Sequence, residues 1–325
     1  MSRLYDRMLE GFRPPNNVPN PDSLVSTERW LLERAEVIAF DNVNDFYWAN
    51  LKEHGRRRFF ASLCPNVAPP FPYFFLETRA PSSVGLPDGP SPWLRSGPKA
   101  WGVLCWAQDL TAEPLFVYDT PQDREWAERV QQMLPAPRWV VEASVYLEHR
   151  KGDPVGPCMM HRFPVLPDGT LPESAKFQIR RVFGRGAVPE EKVRRIADEY
   201  LLYVEPALLT VSFMHCKNVE VQAVEPPQKL SKKHDKHHGR PLVRYHVLGI
   251  EPMKRILRKE GQIDLQGLRK ALHICRGHFK DYRGGGLFRR HKGIFWWADQ
   301  LRGNPREGIA FKDYDVKPVR EDPTD

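Results

Sequence analysis

Apolar runs rich in aromatic and β-branched residues recur along the first half of the chain and predict the strands of one sheet. The runs begin at Tyr73, Trp101, Leu115 and Arg138. Residues 218–224 alternate apolar with polar side chains, which is typical of a half-buried strand. Shorter runs at 242–250, 287–297 and 309–316 predict further strands towards the end of the chain.

Helical spacing of apolar residues appears between and beside these runs. A helix is predicted from Ser26, where Leu31, Ala35 and Ile38 lie at helical spacing. Segments 123–134 and 189–203 have the same periodicity, the second with proline in its first turn. Residues 261–274 favour a further helix, or a helix followed by a turn. The pattern predicts an α+β fold, with a mixed or antiparallel sheet core, flanking helices and long Pro-rich loops.

Proline clusters and composition divide the chain into four parts. The 31 prolines among 325 residues are nearly twice the usage of about 5% that is typical of proteins. Residues 1–23 are polar and rich in proline and asparagine, which predicts an irregular arm before an α+β lobe at 24–225. Residues 226–240 have almost no apolar content and predict a flexible basic loop or linker. A basic α+β segment follows at 241–325, either independent or packed on the lobe.

Positive charge is concentrated at the end of the chain. Residues 226–325 hold 23 Lys and Arg against 12 Asp and Glu, a balance of +11 within a chain of net charge +8. The preceding 225 residues therefore carry a balance of −3. Such asymmetry is typical of a region that meets phosphates, although a solvated basic surface has the same composition.

Targeting signals, membrane spans and disulfide bonds are not indicated by the sequence. The start of the chain lacks the apolar core of a signal peptide, and no apolar run is long enough to span a bilayer. The five cysteines are odd in number and lack C-x-x-C spacing, so reduced thiols are expected. We expect a cytoplasmic protein with no membrane association and no cofactor. A protein partner or a homo-oligomer is compatible with this composition.

Residues 272–297 contain the highest concentration of side chains that could take part in catalysis or bind phosphate. A histidine can exchange protons near neutral pH, and Arg or Lys can stabilise charge on a phosphoryl group, which together suffice for metal-independent RNA cleavage. The candidate catalytic residues are His273, His278, Arg276 and Lys280. Phosphate binding without chemistry also explains this stretch, and so does an apolar core whose polar residues only hold turns.

Binding without chemistry needs cations for phosphates and an aromatic face for bases. The candidate nucleic-acid-binding residues are Lys232, Lys233, Lys236, Arg283, Arg289, Arg290, Lys292 and Trp296.

A metal site is not predicted. Imidazole and thiolate suit zinc, but the available spacing would require two distant segments to meet. Those residues are His215, Cys216, His273, Cys275 and His278. The histidines at 234, 237 and 238 lie among lysines without rigid flanks, which favours a solvated loop that captures metal only adventitiously.

One motif resembles known sequences. The stretch H-x-C-R-G-H-F-K from His273 to Lys280, followed by L-F, K-G and W-W, resembles uncharacterised proteins of bacteria and their phages or mobile elements. The resemblance implies a mobile-element context and no particular activity. The sequence predicts a nucleic-acid-associated protein that acts through its basic C-terminal region. The alternatives are a toxin-like, metal-independent ribonuclease and a non-enzymatic interaction component of a phage or mobile-element assembly, so enzymatic activity is left undecided.

Overall fold

The chain divides into two units, Met1–Ile250 and Glu251–Asp325. The computed structural model describes residues 3–12, 21–54, 64–80, 98–116, 120–149, 154–172, 178–180, 190–250, 271–275, 278–287, 290–297, 300–302 and 304–309.

An eight-stranded mixed sheet is the centre of the first unit. Its strands are β1 Glu36–Ala39, β2 Tyr73–Arg79, β3 Ala100–Asp109, β4 Trp139–Glu148, β5 Val155–Val165, β6 Gln178–Arg180, β7 Val219–Val224 and β8 Tyr245–Ile250. They lie in the order β6-β5-β4-β3-β2-β1-β8-β7. Strand β1 is parallel to both neighbours, and every other pair in this sheet is antiparallel.

Helices cover both faces of this sheet. They are α1 Leu4–Glu10, α2 Pro21–Leu32, α3 Asp41–His54, α4 Pro121–Gln131, α5 Glu190–Met214 and α6 Gln228–His238. Because side chains alternate along a strand, Phe75, Leu104 and Tyr146 face α1 and α2. Trp101 points the other way and packs on Tyr203 of α5, with ring centroids 5.3 Å apart. The sheet is therefore the buried middle layer of three.

The second unit contains two small sheets. Strand β9 Ala271–Cys275 pairs with β12 Gln300–Arg302 and with β13 Asn304–Ile309. Strands β10 His278–Asp281 and β11 Ile294–Trp297 form an antiparallel hairpin. The α+β class is therefore confirmed. Strand β9 corrects the helix predicted at 261–274, of which only 271–274 are described.

The predicted irregular arm at 1–23 is wrong where it is described. Residues Leu4–Glu10 are helical, and Leu4, Tyr5 and Met8 are buried against the sheet. Helix α2 then begins at Pro21, before the predicted start at Ser26. It ends at Leu32, so Ile38 lies in β1 instead of continuing a helix.

The predicted flexible loop at 226–240 is also wrong. Residues Gln228–His238 form α6, which is held by polar contacts that an apolar pattern does not reveal. Residues Tyr245–Ile250 form a strand of the first sheet, so the compact first unit extends beyond the predicted lobe at 24–225. The segment 241–325 is therefore divided between the two units. Strand β5 was not predicted from the apolar pattern.

A buried carboxyl group lies between α2 and β4. The Tyr146 hydroxyl donates a hydrogen bond to Glu28, and both residues are buried. Burial raises the pKa of Glu28 to about 8, although the hydrogen bond from Tyr146 opposes the shift. Glu28 is therefore protonated in the folded protein at neutral pH, while the unfolded chain releases that proton.

We expect Glu28→Gln to flatten the decline of stability with pH between about 5 and 8. Because the folded pKa is raised, the contribution of Glu28 is complete below the unfolded pKa of about 4.3 and falls as pH rises through the folded pKa. Each unit of pH in this window removes about 1.4 kcal/mol from the free energy of unfolding. Urea unfolding at several pH values measures how the free energy of unfolding changes with pH, and Glu113→Gln, at an exposed position, is the control. Parallel curves for wild type and Glu28→Gln would contradict the assignment.

Candidate nucleic-acid interface

Helix α6 has two different polar faces. Ser231, His234 and His238 lie on the side that contacts the rest of the first unit. The opposite side presents lysines at positions i, i+3, i+4 and i+7, which share one helix face. These are Lys229, Lys232, Lys233 and Lys236, all exposed, and the exposed His237 flanks them.

His234 is the anchor of the inner face. It is 8% exposed, and its Nδ1 lies 2.9 Å from the carbonyl oxygen of Arg240. Its Nε2 lies 2.8 Å from Oε1 of Glu10, in the last turn of α1. The His238 ring stacks on the His234 ring, with centroids 4.4 Å apart. The two histidines, one helical turn apart, therefore fix α6 against α1.

The chain after α6 returns to α1 and holds the helix from its other end. Arg240 donates a hydrogen bond to the backbone oxygen of Asp6. The backbone N–H of Val243 donates to Oδ1 of Asp6 at 3.1 Å, and that of Leu242 donates to Oγ of Ser231 at 3.1 Å. Asp6 is itself buried. The orientation of α6 therefore depends on α1.

The ends of α6 suit its composition. Gly239 ends the helix with φ of 70°, a left-handed conformation that glycine adopts without a steric penalty. Lys236, His237 and His238 lie in the last turn, where the helix dipole favours positive charge. A helix of mostly polar residues is thus stabilised at its end as well as along its inner face.

The outer face carries concentrated positive charge. Within the described part of the chain, none of the four lysines of α6 belongs to an ion pair. The only acidic residue of α6 is Asp235. The face can therefore release counterions when it meets a polyanion, which is the physical source of phosphate affinity.

Helix α1 is fixed by carboxylates of the sheet. Glu77 of β2 and Glu148 of β4 are buried, and each forms an ion pair with an arginine of the α1 segment. The partners are Arg3 and Arg7 respectively, and Glu77 also accepts the N–H of Tyr5 at 2.9 Å. A pocket of about 60 Å³ lies here, far below the several hundred Å³ of a typical small-molecule site. Its lining holds four basic residues against three carboxylates, of which Glu77 and Glu148 are already paired with arginines.

The predicted catalytic residues lie in the second unit. His273 belongs to β9 and His278 to β10, which are strands of different sheets, and Arg276 lies outside the described residues. The ammonium of Lys280 lies 5.1 Å from the centroid of the Trp297 ring, a cation–π geometry. The hypothesis of a catalytic cluster therefore stays a prediction.

The predicted stacking surface at Trp296 is corrected. This side chain is 4% exposed and packs edge-on against Phe279, with centroids 4.8 Å apart, so its face is not open to a base. Arg283, Arg290 and Lys292 are exposed, and Arg283 pairs with Asp281 at 2.7 Å. Arg289 lies outside the described residues.

The residues weighed for zinc have other partners in the first unit. His215 hydrogen-bonds through Nε2 to the backbone oxygen of Ala68 at 2.7 Å. The Cys216 thiol is buried and donates to the backbone oxygen of Ser212 at 3.5 Å. Both observations favour packing over zinc binding, while His273, Cys275 and His278 lie in the second unit.

The sequence contained a signal for α6 that hydrophobicity does not measure. Pro226 and Pro227 precede the helix and Gly239 follows it, an asymmetry that is typical of helix boundaries. Its inner face is recognisable only from His234 and His238, which share a face at spacing i, i+4. The contribution of Glu10 had no sequence signal, because it lies more than two hundred residues away.

We expect Asp6→Ala to destabilise the contact between α1 and the segment that follows α6, residues 240–243. The change removes the carboxylate that accepts the partly buried N–H groups of Val243 and Arg3, which lowers the free energy of unfolding by about 1–3 kcal/mol. Chemical denaturation measures the loss, and hydrogen exchange locates it through a faster Val243 amide. The exposed Asp235→Ala is the control, with an expected effect below about 0.5 kcal/mol. Equal effects of the two substitutions would show that Asp6 does not anchor this segment.

Comparison with known proteins finds no match. No protein-family model fits the chain, and neither curated proteins nor solved structures match it. Among the described helices, none combines the length and apolar character needed to cross a membrane. The basic face of α6 is therefore interpreted from its own geometry and charge.

Proposed function

We propose that the protein associates with nucleic acid through the lysine face of α6. The carrying observation is that Lys229, Lys232, Lys233 and Lys236 lie on one exposed face of a helix whose other face is docked. Docking holds the positive charges in a fixed array, so less side-chain and backbone freedom is lost on binding than in a flexible loop.

The chemistry of this face favours phosphates over bases. Lysine ammonium groups act as point charges on the backbone, whereas base recognition usually needs bidentate arginine or amide side chains in a groove. The buried Trp296 removes the stacking surface that the sequence predicted. The proposed association is therefore largely independent of nucleotide sequence and sensitive to salt.

A membrane surface is a less suitable partner for the same charges. Amphipathic helices that bind membranes insert an apolar face into the headgroup region. The inner face of α6 is instead polar and contacts α1 through His234 and His238. Nucleic acid therefore fits this helix better than lipid.

The test is the salt dependence of binding to a duplex and to a single strand. Lys232→Gln/Lys236→Gln is expected to reduce the slope of log K against log salt by about 1.8 on B-DNA, because each lost phosphate contact contributes about 0.9. Changing Lys229 and Lys233 as well should nearly double this reduction. Thermal stability should stay unchanged, because surface substitutions usually alter stability by less than about 0.5 kcal/mol.

Two matched pairs control for net charge. Arg124→Gln/Arg129→Gln changes exposed residues of α4, and Arg290→Gln/Lys292→Gln changes exposed residues of the second unit. Both control pairs should reduce the slope of log K against log salt by less than Lys232→Gln/Lys236→Gln does. Absence of binding at about 50 mM salt, or equal effects of all three pairs, would contradict the proposed interface. Preference for anionic vesicles over nucleic acid would replace it with a membrane function.

A further inference from the structure

We propose that Glu10, His234 and His238 form a binding site for a transition-metal ion of the zinc class, which joins α1 to α6. One donor atom from each residue lies within 4.8 Å of the other two. Two imidazoles and one carboxylate are a ligand set that zinc adopts in proteins, and it leaves a fourth coordination position open. The site does not depend on the proposed nucleic-acid function.

The donor atoms are already close to the required spacing. Oε1 of Glu10 lies 2.8 Å from Nε2 of His234 and 3.3 Å from Nδ1 of His238. Tetrahedral zinc with bonds of about 2.0–2.2 Å separates neighbouring donors by about 3.3 Å. To hold an ion, the Glu10 carboxylate must move back from Nε2 of His234, and the two stacked imidazole rings must rotate so that their in-plane lone pairs converge.

The hydrogen bond from His234 to Arg240 supports a ligand role independently. A backbone carbonyl only accepts hydrogen bonds, so Nδ1 of His234 carries the hydrogen at this 2.9 Å contact. The lone pair of a neutral imidazole is then on Nε2, the atom that faces Glu10. Histidines that bind metals commonly have this arrangement, in which the distal N–H donates to a carbonyl or carboxylate and orients the ring.

The surroundings allow access from solvent. The side chain of His234 is 8% exposed, whereas those of Glu10 and His238 are 28% and 42% exposed. The inner ligand is therefore held rigidly while the outer two border water, which can occupy the fourth position. Arg240 opposes a cation, since its Nη2 lies 3.9 Å from the same Glu10 oxygen, but it also donates to Asp6 and so has a separate anchor.

The competing arrangement is an ion pair without metal. If His234 is protonated at both ring nitrogens, Nε2–H donates to Glu10 and no ion is needed. Zinc binding would release the Nε2 proton to solvent, and the carboxylate would then bind the metal instead of that proton. Metal analysis distinguishes the two arrangements, because only the first binds zinc with a fixed stoichiometry.

The experiment uses the full chain, reduced and dialysed against dilute Zn²⁺, with bound zinc measured by mass spectrometry. His238→Ala is expected to bind one equivalent fewer than wild type, or to bind it at least about tenfold more weakly. Adjacent His237→Ala is the matched control, because this exposed residue lies outside the cluster and its variant should keep that equivalent. Zn²⁺, and not Mg²⁺, should raise the melting temperature of wild type and His237→Ala by about 4 °C or more.

A second variant guards against simple misfolding. Glu10→Gln keeps the size of the side chain and should also lose the one equivalent of bound zinc. Circular dichroism should show that this variant retains its fold. Retention of zinc by both His238→Ala and Glu10→Gln would overturn the proposal, as would absence of zinc from wild type. Equal losses in His237→Ala and His238→Ala would show adventitious capture by exposed histidines, which also overturns it. Lys232→Gln/Lys236→Gln should bind zinc as wild type does, so the site is tested separately from the nucleic-acid interface.

Discussion

The ion pairing of two buried sheet carboxylates determines where α1 lies. An unpaired buried carboxylate is destabilising by several kcal/mol, so Glu77 and Glu148 each require a nearby cation. Burial raises the pKa of Glu77, while Arg3 and the N–H of Tyr5 oppose that shift. Because Arg3 and Arg7 both lie on the short α1 segment, these pairs fix the helix over β2–β4 in one orientation, while Lys99 adds a second cation 3.7 Å from Glu148. The buried residues Leu4 and Met8 add apolar packing to this polar attachment.

The position of α1 in turn determines that of α6. Glu10 lies at the carboxyl end of α1, where the helix dipole disfavours a negative charge, and it therefore gains from nearby cationic or hydrogen-donating groups. These groups are His234, His238 and Arg240, all of which lie within 4 Å of a Glu10 carboxylate oxygen. Once these contacts form, the lysines on the opposite side of α6 have no orientation except towards solvent. The exposed basic face is thus a distant consequence of carboxylates buried in the sheet.

The second unit uses its aromatic residues differently from the sequence prediction. Phe295 and Trp297 pack with Tyr282 and Leu287, while Trp296 packs with Phe279 on the other side of the β10–β11 hairpin. A unit of this size has little apolar surface to bury, so its largest side chains are needed for its own core. Removing them from water stabilises the hairpin and leaves charged residues such as Arg290 and Lys292 at the surface. Packing therefore outweighs base stacking as the explanation of these tryptophans.

The sequence by itself determined the α+β class, strands β2, β3, β4, β7 and β8, and helices α4 and α5, because these elements bury apolar residues at regular periods. It also located the excess positive charge, including Lys232, Lys233 and Lys236. Only the tertiary structure decided that these lysines lie on a docked helix and that Glu10 approaches His234. The physical reason is that polar anchoring depends on partners far apart in sequence, whose pairing has no period. The spacing of apolar side chains along the chain shows which elements are buried. The partners in an ion pair or a hydrogen bond become apparent only when the folded chain brings them together.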